Sequence, residues 1–480
     1  MSLMTRKSVS DLIAESETGT LRRTLGAFSL TTLGVGAIIG AGIFVITGTA
    51  AAQFAGPALV LSMLIAAIGC AFAGLCYAEF ASMIPVAGSA YTYSYATLGE
   101  LFAWIIGWDL ILEYALGAST IAVGWAGNVV SFLQDFGIQI PAAFTGPPGS
   151  IVALPDGSTV TGLFNVPAAL VVLAVSAILI VGIRESAGFN TVIVVVKVFV
   201  LVLFVVFGIK YIKTGNWHPF VPPNTGTFGQ YGWSGVLRGA GVIFFAFIGF
   251  DAVSTAAQEA RDPQRDMPRG ILISLVVCTI LYIAVALVLT GIVRYDKLNV
   301  PAPIALGVDS IGLFWLRPVV KLGAIAGLSS TMLVMLLGQP RIFYSMSRDG
   351  LLPPLFSRVH PRFKTPHITT ALTGGVVALV SGLFPIATLT QLTSMGTLLA
   401  FVMVSIGVWV LRRAEPDRAR PFKTPWVPGV PILGAVICLA QMIGLPLTTW
   451  IRLVVWLVVG LAIYFFYGRA GAARVRAAPR

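Results

Sequence analysis

Lys197 stands in NTVIVVVKVFVLVLFVVFG, where an ammonium group has valine, leucine and phenylalanine for neighbours. A lysine at the centre of a membrane-spanning helix costs roughly 2.5–3.5 kcal/mol on insertion scales, so its presence points to a function. The chemistry it suggests is reversible protonation. Snorkelling to the cytoplasmic surface is the structural alternative, opposed by more than two turns of apolar helix before it. Asp109 and Glu113, in WDLILEYALGAST, lie one turn apart on one helix face. Either acid could offset the cost of burying the lysine. Asp251 ends the Phe-rich run FFAFIGFD and reads equally as a structural link or as a second titrating group.

The second kind of chemistry lies in the backbone. GVGAIIGAGIF, residues 34–44, places glycines at 34, 36, 40 and 42 inside an apolar run, and Gly249 interrupts FFAFIGFDAV in the same way. Glycine weakens a helix, and an opened backbone in hydrocarbon costs several kcal/mol unless its polar groups face a cavity or a ligand. Free N–H groups at the start of a half-helix suit a carboxylate, and released carbonyls suit an ammonium. The two ends of an amino acid are such a pair. Close helix packing through small residues is the alternative reading of the glycines.

These residues need a membrane bundle to position them. The 480-residue chain is 57% hydrophobic and 10% charged, with mean hydropathy +0.91, which excludes an ordinary soluble globule. Apolar runs long enough to cross a ~30 Å hydrocarbon core predict twelve spans: 25–53, 57–84, 98–131, 165–183, 189–213, 234–259, 269–293, 316–347, 367–384, 388–411, 428–446 and 450–467. The basic residues test that count independently. Arg6, Lys7, Arg22, Arg23, Arg184, Arg261, Arg265, Arg269, Arg341, Arg348, Arg358, Arg362 and Lys364 all fall on one side of it. So do Arg412, Arg413, Arg418, Arg420, Lys423, Arg469, Arg474, Arg476 and Arg480. By the positive-inside rule that side, with both termini, is cytoplasmic.

The net charge of +12 is spread over short loops without a nucleic-acid motif, so anionic headgroups rather than nucleic acid account for it. The acidic residues Asp11, Glu15 and Glu17 argue against a signal peptide. Cys70, Cys76, Cys278 and Cys438 sit in apolar helices, and His218, His360 and His367 lie in or beside loops. No metal-ligand spacing or hydrolase motif joins them, so neither an enzyme nor a cofactor is expected. FTGPPGSIVALPDGST and NWHPFVPPNTGTFGQYGW read as outer lids.

The expected organisation is an N-terminal cytoplasmic segment 1–24, one transmembrane domain 25–467 and a basic tail 468–480. Breaks in the first and sixth spans, at matching places of two five-helix halves, predict an inverted repeat with a site at the midplane. The halves are about 25–213 and 234–411, with two extra helices at 428–467.

GVGAIIGAGIFVITG, FFAFIGFDAVSTAAQEARDPQRDMPRGI and PRIFYSMSRDGLLP together resemble the cationic amino acid transporter family of the amino acid, polyamine and organocation superfamily, over essentially the whole chain. The resemblance implies the five-plus-five fold of the leucine-transporter type. It places a substrate carboxylate near Ala41 and Gly42, the ammonium near carbonyls of Ile38, Phe245, Ala246 and Ile248, and Gly40 among the substrate-binding residues. Phe245 takes the place of an aromatic gate. It implies that Lys197 occupies the position of a sodium ion in sodium-coupled members, and it favours Glu113 as the lysine's partner. The expected lining is Ala41, Gly117, Phe245, Ile248 and Met335, which suits neutral side chains better than arginine.

The reading is an inner-membrane, proton-coupled symporter of L-amino acids, broad among neutral ones such as alanine, working by alternating access. Its proton-coupling residues are Lys197, Glu113 and Asp251. A cationic amino acid carrier or exchanger is the nearest alternative, and a ligand-gated channel or membrane sensor a more distant one. The bundle leaves room for a small membrane-protein or lipid partner beside the bilayer itself.

Overall fold

The computed structural model describes residues 5–8, 25–84, 89–153, 158–182, 187–300 and 302–477. Most of the expected segment 1–24 lies outside them, as do Arg22, Arg23, Arg184 and Arg480.

The chain opens with α1 (Ala27–Ile38), which stops in mid-run and resumes as α2 (42–55), partly wound as π-helix. Gly56, at φ +61°, separates α2 from α3 (Leu59–Met83). There follow α4 (Ser89–Thr97), α5 (Glu100–Gln134), α6 (Val166–Val181), α7 (Ala187–Gly208) and α8 (Gly232–Ile243). The second half has α9 (Pro263–Ile292), α10 (Pro303–Ser310), α11 (Leu316–Arg348), α12 (His367–Leu383) and α13 (Ile386–Ala414), then α14 (Gly429–Gly444), α15 (Leu447–Ile463) and α16 (Arg469–Ala477). Seven helical stretches are long and apolar enough to cross a membrane, and four shorter apolar helices accompany them. The chain is therefore mostly helical and of the multi-pass type.

Differences from the expected spans have local causes. Pro263 at the first turn starts α9 six residues early, because proline suits the unbonded N-terminal positions of a helix. SAYTYSYAT, left between spans by its polarity, forms α4, and the basic tail forms α16. Both proline-rich segments make regular contacts where described. The first carries the two-stranded pairing β1 (Ile151–Ala153) with β2 (Thr159–Thr161). In the second, the Asn224 amide donates to the carbonyls of Thr227, Gln230 and Tyr231, and Tyr231 donates to the Ala52 carbonyl at the end of α2.

α11 packs along α5, α9 along α1 and α3, and α13 along α5 and α14, so α1, α5, α9, α11 and α13 enclose the core. Ties hold both ends of α11. At its start Lys321, buried, lies 2.7 Å from Asp135 and 3.7 Å from Asp309. Asp309 in turn pairs with Arg317 at 2.8 Å. Burial raises the Asp309 carboxyl above the usual carboxylate range, and Lys321 and Arg317 oppose that shift. At the other end of α11, Asp349 accepts from Lys7 and from the Tyr91 hydroxyl, both at 2.6 Å.

Candidate functional site

α1 ends because Ile39 leaves the helix at ψ 93°, which releases the last carbonyls of the helix. Three carbonyls at the break find side chains. Lys197 Nζ, fully buried, donates to Gly36 O at 2.7 Å and Ile39 O at 3.0 Å, and lies 3.2 Å from Thr331 Oγ1. Ile38 O accepts from the Tyr282 hydroxyl at 2.7 Å.

The second break follows a 3-10 turn, Phe244–Phe247, after which Ile248 is extended (ψ 135°) and Gly249 takes φ +123°. That φ strains any side-chain-bearing residue, and a Cβ on Gly249 would also lie 2.7 Å from the carbonyl carbon of Ala37. Asp251 Oδ1 accepts from Gly249 N at 3.1 Å, so this acid holds the turn of the break. Tyr282 Oη is 3.0 Å from Ala246 O, so one hydroxyl bridges the two breaks.

The expected residues come together at these breaks. Ile38, Ala41, Phe245, Ala246, Ile248 and Met335 are all buried, Gly42 packs on Ala246, and Gly40 on Thr331. Across the gap, a Cβ on Gly117 would lie 3.7 Å from Met335 Sδ and 3.6 Å from Thr393 Cγ2. Lys197 corrects one expectation: its Nζ sits on backbone carbonyls of α1 and on Thr331, not on Glu113. No ion pair among the described residues involves it. A helix end supplies what a carboxylate was expected to supply, because its carbonyls carry partial negative charge.

Glu113 instead neighbours Thr397, Asp251 and Asp109, and its Oε2 lacks a hydrogen-bond partner. Sequence reasoning passed over Tyr282, Thr331 and Thr393. The first two were visible only as polar residues inside apolar runs, ILYIAV and GLSSTMLV, and nothing local says what they face.

Two interrupted helices that meet in a buried, polar-backbone centre, inside a bundle of long apolar helices, define a multi-pass membrane protein. The chain belongs to the amino acid permease family, whose pattern it matches over residues 25–470. It is 48% identical to the methylthioribose transporter of Bacillus subtilis, over 98% of both chains. It is equally 48% identical to the branched-chain amino acid permease BcaP of the same organism, again over 98% of both. With the vacuolar cationic amino acid transporter 4 of Arabidopsis thaliana it shares 40% identity, over 87% of this chain and 68% of that protein.

Proposed function

We propose that this protein is a proton-coupled L-amino acid symporter of the cell membrane that takes up neutral amino acids by alternating access. The observation that carries the reading is the seating of Lys197 Nζ on the Gly36 and Ile39 carbonyls. A protonated lysine there clamps α1 at its break. A lysine that has lost its proton no longer holds two backbone carbonyls as strongly, because charge-assisted bonds are about twice as strong as neutral ones. Proton occupancy is thereby linked to the geometry of the half-helix start at Ala41 and Gly42, where the substrate carboxylate would bind.

In this reading the helices make twelve spans, α1–α7 and α8–α13 form two inverted five-span halves, and α14 and α15 are the extra pair. One domain covers 25–467, and both termini face the cytoplasm. The substrate ammonium meets the carbonyls of Phe245 and Ile248, with Phe245 as the gate. The apolar lining of Gly117, Ile248, Met335 and Thr393 favours alanine to leucine-sized side chains. The branched-chain permeases among its relatives support that preference.

A cationic substrate is the second reading. Glu113 lies one turn from Gly117 with an unpartnered carboxylate oxygen, within about 6 Å along the helix axis, and several relatives are named as cationic amino acid transporters.

Uptake of labelled alanine into sodium-free proteoliposomes, with and without an inward proton gradient, tests the proposal beside Lys197→Ala. Gradient-dependent accumulation lost in the variant is expected. Uptake that ignores the gradient but needs internal amino acid would make the protein an exchanger. Non-saturating flux would point to a channel, and binding without flux to a sensor. Competition by leucine, arginine and lysine separates the neutral from the cationic reading.

A further inference from the structure

The geometry points to a proton-binding site separate from Lys197: the carboxyl of Asp109, one turn below Glu113 on α5, which takes up and releases a proton during the transport cycle. This inference rests on the symport reading above. Asp109 is fully buried, and neither of its oxygens has a hydrogen-bond partner. What faces it is backbone. A Cβ on Gly396 of α13 would lie 2.9 Å from Oδ1 and 3.5 Å from Oδ2, so glycine is what leaves the carboxyl its space.

Polar groups cluster one turn away, around Glu113. Gln339 of α11 donates its amide to Ile111 O at 3.1 Å, between the two acids, and its own Oε1 is buried and unpartnered. Thr397 of α13 stands beside Glu113. Of the titratable groups, Glu113 is the neighbour of Asp109, and Asp251 after the second break lies beyond it on the Glu113 side.

Three occupants could satisfy such a carboxylate. An ionised carboxylate left alone costs several kcal/mol in an apolar interior. The distal cation of a substrate at Gly117 is too far, since eight residues of helix put Asp109 about 12 Å away, beyond an extended lysine side chain. A metal ion would need more ligands, and no group of three His, Cys, Asp or Glu residues among the described residues could hold one. A proton remains. The carboxyl then becomes a donor, one helical turn from Glu113.

Infrared difference spectra of the reconstituted protein, with and without alanine, test this directly through the C=O stretch of protonated carboxyls and its shift in deuterium oxide. Asp109→Asn should delete one such band and lower gradient-driven alanine accumulation at least about tenfold, more than it lowers alanine counterflow. Glu113→Gln should leave that band in place. If the asparagine variant does not fold, Asp109→Glu should move the band without deleting it. Carboxyl bands identical in wild type and Asp109→Asn, or equal accumulation by the two, would overturn the proposal. A wild-type protein whose uptake ignores the gradient would overturn the symport reading instead, and the band would then decide alone whether Asp109 holds a proton.

Discussion

Gly42 packs against Ala246 so closely that a Cβ at position 42 would lie 2.2 Å from the Cα of Ala246. Backbone meets backbone there, one strand of it from each interrupted helix, and no rotamer change can relieve the overlap. Gly42→Ala must therefore part the two breaks. We expect at least about a hundredfold loss of alanine uptake, since a displacement near 1 Å at a reacting or binding centre can cost that much. Protein of normal yield and normal uptake would show that the breaks need not touch.

Tyr282 joins the same two segments by hydrogen bonds, at 2.7 Å to Ile38 O and 3.0 Å to Ala246 O. Tyr282→Phe keeps the ring and its edge contact with Phe247 but removes the single hydroxyl proton that two buried carbonyls share. Losing that donor costs about 1–3 kcal/mol. Thermal unfolding in detergent should show a loss in that range, and, on the proposed reading that substrate binds at the breaks, alanine should bind more weakly. Unchanged stability would mean that water replaces the hydroxyl.

The long apolar helices were readable because each hydrocarbon crossing demands a long apolar run, and the breaks because glycine at 34–42 and 249 contradicts that demand. Ends were less readable: α9 reaches back through Pro263, and the Tyr- and Thr-rich α4 has no apolar run to announce it. The partner of Lys197 was not readable at all. Gly36 O and Ile39 O are main-chain atoms some 160 positions away, exposed as acceptors only because the helix stops there. A carboxylate in the sequence advertises its charge, whereas a helix terminus acquires one from folding. Tyr282 and Thr331 escaped notice for the same reason.

In the proposed site, Gly117 would set the room available to a substrate side chain. A methyl group there would meet Thr393 and Met335 at ordinary contact distances of 3.6 and 3.7 Å, so Gly117→Ala should fold normally while narrowing the site. One methylene of space is worth about 1–3 kcal/mol of discrimination. Leucine uptake should fall about tenfold or more relative to alanine, read as the ratio of their uptake efficiencies. An unchanged ratio would place the substrate side chain elsewhere.

The Glu79 side chain of α3 is only 2% exposed, yet every bond its carboxylate makes is to a residue more than 300 positions away. Arg412 grips it in a two-pronged pair at 2.9 Å each, the Thr424 amide donates at 2.8 Å, and Arg420 Nε lies at 3.3 Å. The carboxylate thus fastens α3 to the end of α13 and to the loop that leads into α14. Glu79→Gln preserves the volume and removes the charge, leaving buried Arg420 without its anion. Breaking a buried pair costs about 3–5 kcal/mol. The value here should fall at the lower end, near 3 kcal/mol, because Arg412 is 23% exposed and water takes up part of its charge. Arg412→Gln alone should cost less than Glu79→Gln, and the double variant should cost less than the sum of the two. Thermal unfolding of the four proteins in detergent measures the cycle. Additive losses would mean that Glu79 and Arg412 act independently, with the α3 to α13 contact held by packing.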